Sequence, residues 1–182
     1  MKIETERLIL RQWEESDRIP FFEMNSDPEV MKYFPSPLSR KESDTFFEKL
    51  SLLVEKQGFG FYPTILKGTG KFIGFIGLNE ATFNASFTPC IEIGWRLRKE
   101  FWKKGFATEG AMEVLKFGFQ ELEAKEILSF TSKLNTPSIK VMERLGMQKV
   151  DEFEHPNVKE GHPLRRHVLY HIHSSNRCKV FK

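Results

Sequence analysis

The chain has 182 residues, 40% of them hydrophobic and 29% charged, with 28 basic against 25 acidic residues and a net charge of +3. That composition excludes both a disordered chain and a membrane-embedded one, and a chain of this length buries roughly 70% of its unfolded surface. The charges are interspersed rather than blocked, which argues against a nucleic-acid partner, and the longest apolar run, Phe72 to Leu78, falls far below the ~18 residues of a membrane span.

The opening MKIETERLIL sets Glu4, Glu6 and Arg7 where a secretory signal would carry its apolar core, so a cytoplasmic protein is expected. Cys90 and Cys178 stand far apart without partners at zinc-finger spacing, which points to neither a disulfide framework nor a structural zinc. No repeat, low-complexity tract or Gly/Ser linker divides the chain. One domain over residues 1–175 is expected, followed by a short basic tail, 176–182.

A first strand forms around Leu8 and Leu10, and helical stretches follow at Asp17 to Asn25 and Ser43 to Lys56, the second with Phe46, Phe47, Leu50 and Leu53 on one face. The segment between them, SDPEVMKYFPSPL, is turn-rich and aromatic. GFYPTILK and KFIGFIGL meet at the glycine-rich turn Lys67-Gly68-Thr69-Gly70 as a hairpin, with CIEIGWRLR as a third antiparallel strand. The period then changes: Ala107, Ala111, Leu115, Gly118 and Leu122 recur every three to four positions, as in a helix packed on a sheet. A strand EILSFTS follows. The next helix has Thr136 as its expected N-cap, Pro137 at its first position and Gly146 just past its end. Strands near Gln148 to Phe153 and His167 to His173 close the chain. This order predicts an α+β fold: a mixed, mostly antiparallel sheet of six to seven strands with helices on both faces.

The richest stretch for chemistry is IEIGWRLRKEFWKKGFATEG, where a strand runs through a short basic glycine loop into a helix. The first amides of a helix lack internal partners and sit at the positive end of its dipole, and Gly105 and Ala107 put almost no side chain in the way of an anion. Lys103 and Lys104 add formal charge. A phosphate-bearing ligand fits this loop; taken alone, tight packing of helix on sheet fits it as well.

The spacing Trp102-x-x-Gly105-x-Ala107, preceded by EIGWRL and followed after about thirty residues by NTPSIKVMERLGM, resembles the GNAT superfamily of acetyl-CoA-dependent N-acetyltransferases. ETERLILRQWEESD, DPEVMKYFP and FWKKGFATEG are most similar to its RimJ/RimL branch, which acetylates ribosomal-protein N-termini. The resemblance covers residues 3 to 173. It implies acetyl-CoA as co-substrate, with Lys103, Lys104, Gly105, Phe106, Ala107 and Thr108 around its pyrophosphate. Trp95 and Leu97 would hydrogen-bond the pantetheine arm through the strand edge, and Asn135 would contact the cofactor near Ser138. Two positions depart from the pattern. Trp102 replaces the Gln or Arg that opens the loop in much of the superfamily, and Met142 occupies the position where many members carry a tyrosine general acid. Any role in protonating the departing thiolate then falls to Ser138, one helical turn before Met142, to water or to nothing.

Acetyl transfer to an amine also needs a base. Strand alternation puts Glu92 on one face with Gly94 and Arg96, opposite Ile91, Ile93 and Trp95, which makes Glu92 the candidate; the competing reading is an ordinary exposed or ion-paired strand residue. The expected acceptor is a protein N-terminal α-amine, whose pKa near 8 leaves about 10% neutral at pH 7. A small-molecule amine (a polyamine, amino acid or aminoglycoside) and a non-catalytic acyl-CoA-binding module are the rival readings. Segments 27–40, 79–90 and 154–166 would select the acceptor, in a monomer or homodimer. Gly68-Thr69-Gly70-Lys71 lacks the spacing of a nucleotide loop. No metal is expected: His167, His171 and His173 share one strand face, but Leu169 interrupts them and no carboxylate pattern accompanies them.

Overall fold

A computed structural model describes residues 2–176; Cys178 and residues 177–182 of the expected tail lie outside the described part. Its strands are β1 (Ile3–Glu4), β2 (Leu8–Leu10), β3 (Phe61–Leu66), β4 (Lys71–Ala81), β5 (Cys90–Leu97), β6 (Glu126–Ser132), β7 (Gln148–Glu154) and β8 (Arg166–His173). The helices are α1 (Arg18–Ser26), α2 (Arg40–Gln57), α3 (Phe106–Gln120) and α4 (Thr136–Arg144). The strands form one 8-stranded sheet in the order β1-β2-β3-β4-β5-β6-β8-β7, antiparallel throughout except for the parallel neighbours β5 and β6. The strand beyond the six or seven expected is β1, which pairs Ile3 with Leu10 and Glu4 with Ile9. A two-residue strand is too short to carry a period, so it left no trace in the sequence pattern.

β4 lies at the centre of the sheet, and its run from Phe72 to Leu78 is buried on both faces. Continuous apolarity is what a strand covered on both sides requires. On one face, Trp13 meets Phe21 and Phe47 edge to face with centroids 5.1 Å away in each case, and Phe46, Phe72 and Phe75 extend the cluster beneath α1 and α2. On the other face α3 lies close to the sheet, because a Cβ on Gly110 would stand 2.5 Å from Ile76 and one on Gly118 2.6 Å from Ile127. α4 packs beside α3 and against β6, with Met142 and Leu145 in the core.

Helix boundaries moved where side chains cap them. α2 starts three residues earlier than the apolar period indicates, since Ser39 and Glu42 form a reciprocal capping box: the Ser39 amide donates to Glu42 at 2.8 Å and the Glu42 amide to the Ser39 hydroxyl at 3.3 Å. α4 is capped by Asn135 and not by Thr136, which is already helical; Asn135 Oδ1 accepts from the Ser138 amide at 3.3 Å. Gly146 does follow its end, with φ +76°.

Two glycines separate backbone crowding from side-chain crowding. A Cβ on Gly77 would lie 1.9 Å from the Gly60 carbonyl oxygen and 2.7 Å from Phe61 Cα, atoms that cannot rotate away. Gly77→Ala is expected to cost more than about 2 kcal/mol of unfolding free energy. Gly118→Ala meets only the methyl ends of Ile127 and Leu78 and regains helix propensity, so its loss should be smaller. Urea denaturation of both variants checks the order.

Candidate active site

β5 is paired along its whole length with β4, from Cys90 opposite Ala81 to Leu97 opposite Gly74, but with β6 only at Glu92 opposite Leu128. Beyond that bridge the parallel strands diverge, leaving β5 with a free backbone edge. Ser129 Oγ donates to the Ile93 carbonyl at 2.9 Å and marks which backbone groups face the gap. By strand alternation the N–H and C=O of Trp95 and the N–H of Leu97 point the same way. The Leu97 carbonyl is engaged, because Trp102 Nε1 donates to it at 2.8 Å. The side chain that departs from the superfamily pattern thus closes the end of the edge.

The loop after β5 turns sharply through Lys103 at φ +60° and Gly105 at φ +83° into α3. The Glu109 amide donates to the Gly105 carbonyl at 3.0 Å, so the amides of Gly105, Phe106, Ala107 and Thr108 have no partner within the helix. The side chains of Lys103 and Lys104 are exposed, whereas the Phe106 ring is buried and offers the site only its backbone. Arg7 braces this loop from the β1–β2 hairpin. Its guanidinium donates to the Lys104 carbonyl at 3.1 Å, pairs with Glu109 at 2.6 Å and lies 4.5 Å from the Phe106 ring centre. Glu109 also accepts from the Thr5 hydroxyl, and these contacts hold its carboxyl below the ordinary range. An acidic residue in the first turn would oppose anion binding; here Arg7 neutralises it.

Glu92 stands where the two strands part. Burial pushes its carboxyl up to about 7, partly offset by a 2.8 Å hydrogen bond from Asn79 Nδ2, the residue opposite it on β4. No salt bridge engages Glu92 among the described residues, so the ordinary ion-paired reading has no support. A carboxylate half-ionised near pH 7 and held by one neutral amide is a suitable general base. On the same face, the Arg96 guanidinium lies 4.0 Å from the Phe34 ring centre and donates to Asn25 Oδ1, tying the segment between α1 and α2 to the sheet.

The opposite side of the gap is the start of α4. Asn135 is committed internally: Nδ2 donates to Thr131 Oγ1 at 2.9 Å while Oδ1 caps the helix. Its geometry is that of a helix cap. Ser138 is partly exposed on the first turn, and Met142, 1% exposed, belongs to the core. Phe130, two residues past the partner of Glu92, stands on the Glu92 face. Phe83 and Phe87 from the β4–β5 connection pack on it with centroids 5.3 and 6.1 Å away, joined by Phe153 and His155. His167 lies 4.8 Å from His155. Burial lowers both imidazoles, His155 to about 4, so this wall is aromatic and uncharged at pH 7.

The residue pattern alone did not reveal Asn79 or Arg7, and it named Trp102 without its hydrogen bond to the Leu97 carbonyl. Asn79 would have emerged from aligning KFIGFIGLNE with CIEIGWRL, had the register been known. The contact of Arg7 with a loop nearly one hundred residues away has no local signal.

The parallel strands β5 and β6 thus part at the half-buried Glu92, beside the basic N-terminus of α3, in an α+β fold. Residues 7–148 match the acetyltransferase (GNAT) domain family, and the chain belongs to this family of N-acetyltransferases, of the RimJ/RimL type. It is similar to a GNAT-family acetyltransferase crystal structure from Bacillus anthracis, with 30% identity, a TM-score of 0.80 and coverage of 96% of this chain and 99% of that one. It is also similar to the FsC-acetyl coenzyme A-N(2)-transacetylase of Aspergillus fumigatus, 30% identical over 154 residues, which span 76% of this chain and 63% of that one. Mycobacterium smegmatis RimJ, solved in complex with CoA-disulfide, shares the fold: TM-score 0.78, 16% identity, coverage of 97% and 88%. Family membership implies acetyl-CoA as the acyl donor. No helix among the described residues is long and apolar enough to cross a membrane.

Glu92→Gln should remove an acidic limb with an apparent pKa near 7 from the kcat/KM profile and lower activity by about 100-fold or more. The same substitution has a thermodynamic signature of known sign. Between pH 4.5 and 7 the unfolded chain releases the Glu92 proton and the folded one retains it, so the wild type loses stability over that interval. Denaturation should show the Gln variant gaining roughly 3 kcal/mol on the wild type at pH 8 compared with pH 4.

At the loop, Gly105→Glu combines a left-handed φ with negative charge at the helix N-terminus. It should abolish thermal stabilisation by acetyl-CoA while the protein stays folded. Arg7→Gln removes the brace only, and should raise KM for acetyl-CoA several-fold with kcat nearly unchanged.

Proposed function

We propose that this N-acetyltransferase transfers the acetyl group of acetyl-CoA to the α-amine of a protein N-terminus, by direct attack in a ternary complex. In this reading, the amides of Gly105 to Thr108, with Lys103 and Lys104, receive the pyrophosphate. Trp95, and the Leu97 N–H, extend β5 by backbone hydrogen bonds to the pantetheine arm, as a missing strand would. Acetyl-CoA supplies the activated acyl carbon. Glu92 accepts the proton that the ammonium must lose, and Ser138 offers a hydroxyl hydrogen bond to the departing sulfur. A neutral hydroxyl is a weak acid, so that contribution is stabilisation of charge rather than full proton transfer.

The observation that carries the choice of acceptor is the pairing of a weak base with an uncharged wall. A carboxyl titrating near 7 is matched to an α-amine near 8 and poorly matched to a lysine amine near 10.4. The wall of Phe83, Phe87, Phe130, Phe153 and the neutral His155 offers stacking and apolar contact, and none of the carboxylates that would hold a polycation. A first residue with an apolar or aromatic side chain fits it best.

A thiol-release assay against peptides with free N-termini, the same peptides blocked at the α-amine, polyamines, amino acids and aminoglycosides tests this. Turnover is expected on free-N-terminal peptides and should vanish on blocking. Faster turnover on any small amine would transfer the assignment to that acceptor, and absence of turnover on every member would favour an acyl-CoA-binding module.

A further inference from the structure

β6 and β8 are antiparallel neighbours with Glu126 opposite His173 and Leu128 opposite His171. Residues directly opposite, and residues two apart on one strand, share a sheet face, so Glu126, His171 and His173 project together. Their polar atoms converge. His171 Nδ1 lies 2.6 Å and His173 Nε2 3.0 Å from the same oxygen, Glu126 Oε1, and the three ligand atoms all lie within 4.8 Å of one another. The two imidazole rings, 4.7 Å apart at 78°, aim at that point from different directions. The carboxylate missing from the local sequence pattern of the histidines is thus supplied by the adjacent strand, and the ground for expecting no metal there falls. His167 is not part of the group; it packs with His155 and Phe153.

Two imidazoles and one carboxylate are a donor set suited to Zn²⁺ and its divalent neighbours. Tetrahedral zinc with ligands at about 2.0–2.1 Å sets ligand atoms about 3.3 Å apart, so the pairs now at 2.6 and 3.0 Å need to open by well under 1 Å while the two imidazole nitrogens, within 4.8 Å of each other, need to close by at most about 1.5 Å. The opening is small because the donors stand on two strands already fixed by their ladder. Three protein ligands leave a coordination position for solvent, and the His173 side chain, 47% exposed, gives an ion a path in. We propose that Glu126, His171 and His173 form an open three-ligand site for a divalent transition-metal ion of the zinc type, which would clip β6 to β8. The proposal does not depend on the acceptor assigned above.

The test uses tag-free full-length protein and Zn²⁺ as the probe. After equilibration with Zn²⁺ and dialysis, metal analysis should find one ion per chain, and titration calorimetry a single site. His173→Ala, at an exposed position, and Glu126→Gln should each weaken binding by more than about 10-fold, the least that loss of even an outer-shell partner produces. A variant with both cysteines replaced by serine should bind as the wild type does. Far-UV circular dichroism and stabilisation by acetyl-CoA report that each variant is folded. Sub-stoichiometric zinc, zinc binding that survives both His173→Ala and Glu126→Gln in folded protein, or binding lost with the cysteines would overturn the proposal and leave the three residues as a hydrogen-bonded cluster.

Discussion

The structure depends on a strand that is committed on one edge and nearly free on the other. β5 holds a full antiparallel ladder to β4, yet meets β6 only at Glu92 and Leu128. Unpaired backbone groups buried away from water are costly, so an open edge inside a sheet persists only where a ligand or solvent can satisfy it. The core makes the opening affordable in structural terms. α3 clasps the sheet across β4 and β5, with glycines at Gly110 and Gly118 allowing close approach, and β6 is held separately by its ladder to β8. The sheet behaves as two ladders joined at one bridge.

Charge is distributed along that gap in a definite order. At one end the amides opening α3, with Lys103 and Lys104, are positive, and Arg7 cancels Glu109, the acidic residue in the first turn of that helix. At the fork, Glu92 is kept from full ionisation by burial, with the Asn79 amide as its side-chain hydrogen-bond partner among the described residues. Past the fork, aromatic rings and low-pKa imidazoles make an uncharged wall. Positive amides, a carboxyl titrating near neutrality and apolar surface therefore follow one another along the gap, the order of environments that the proposed acyl transfer would use.

Local chemistry explains why some parts were legible from residues alone. Helices α2 and α3 announce themselves by apolar period, α4 by Pro137 and Gly146, and the β3–β4 hairpin by its glycines. Ser39 and Glu42 form a capping box visible in the sequence, although the apolar period by itself placed the start of α2 later. The anion loop was legible too, because a helix N-terminus with Gly105 and Ala107 owes its properties to backbone that sits next to it in the chain.

What the sequence by itself determined is thus what short-range physics controls: the element order from β2 onward, the α+β class, the helix that opens on a basic glycine loop, and the strand face that carries Glu92. Tertiary structure alone decided the rest. The single bridge between β5 and β6, the Asn79 partner that tunes Glu92, the reach of Arg7 to Lys104 and Glu109, and the meeting of Glu126 with His171 and His173 all join residues distant in the chain. Such contacts are set by strand register and by which edges pair, and one residue of slip would turn every side chain on a strand to the opposite face. Periodicity names the faces of a strand; only the assembled sheet says what stands across from them.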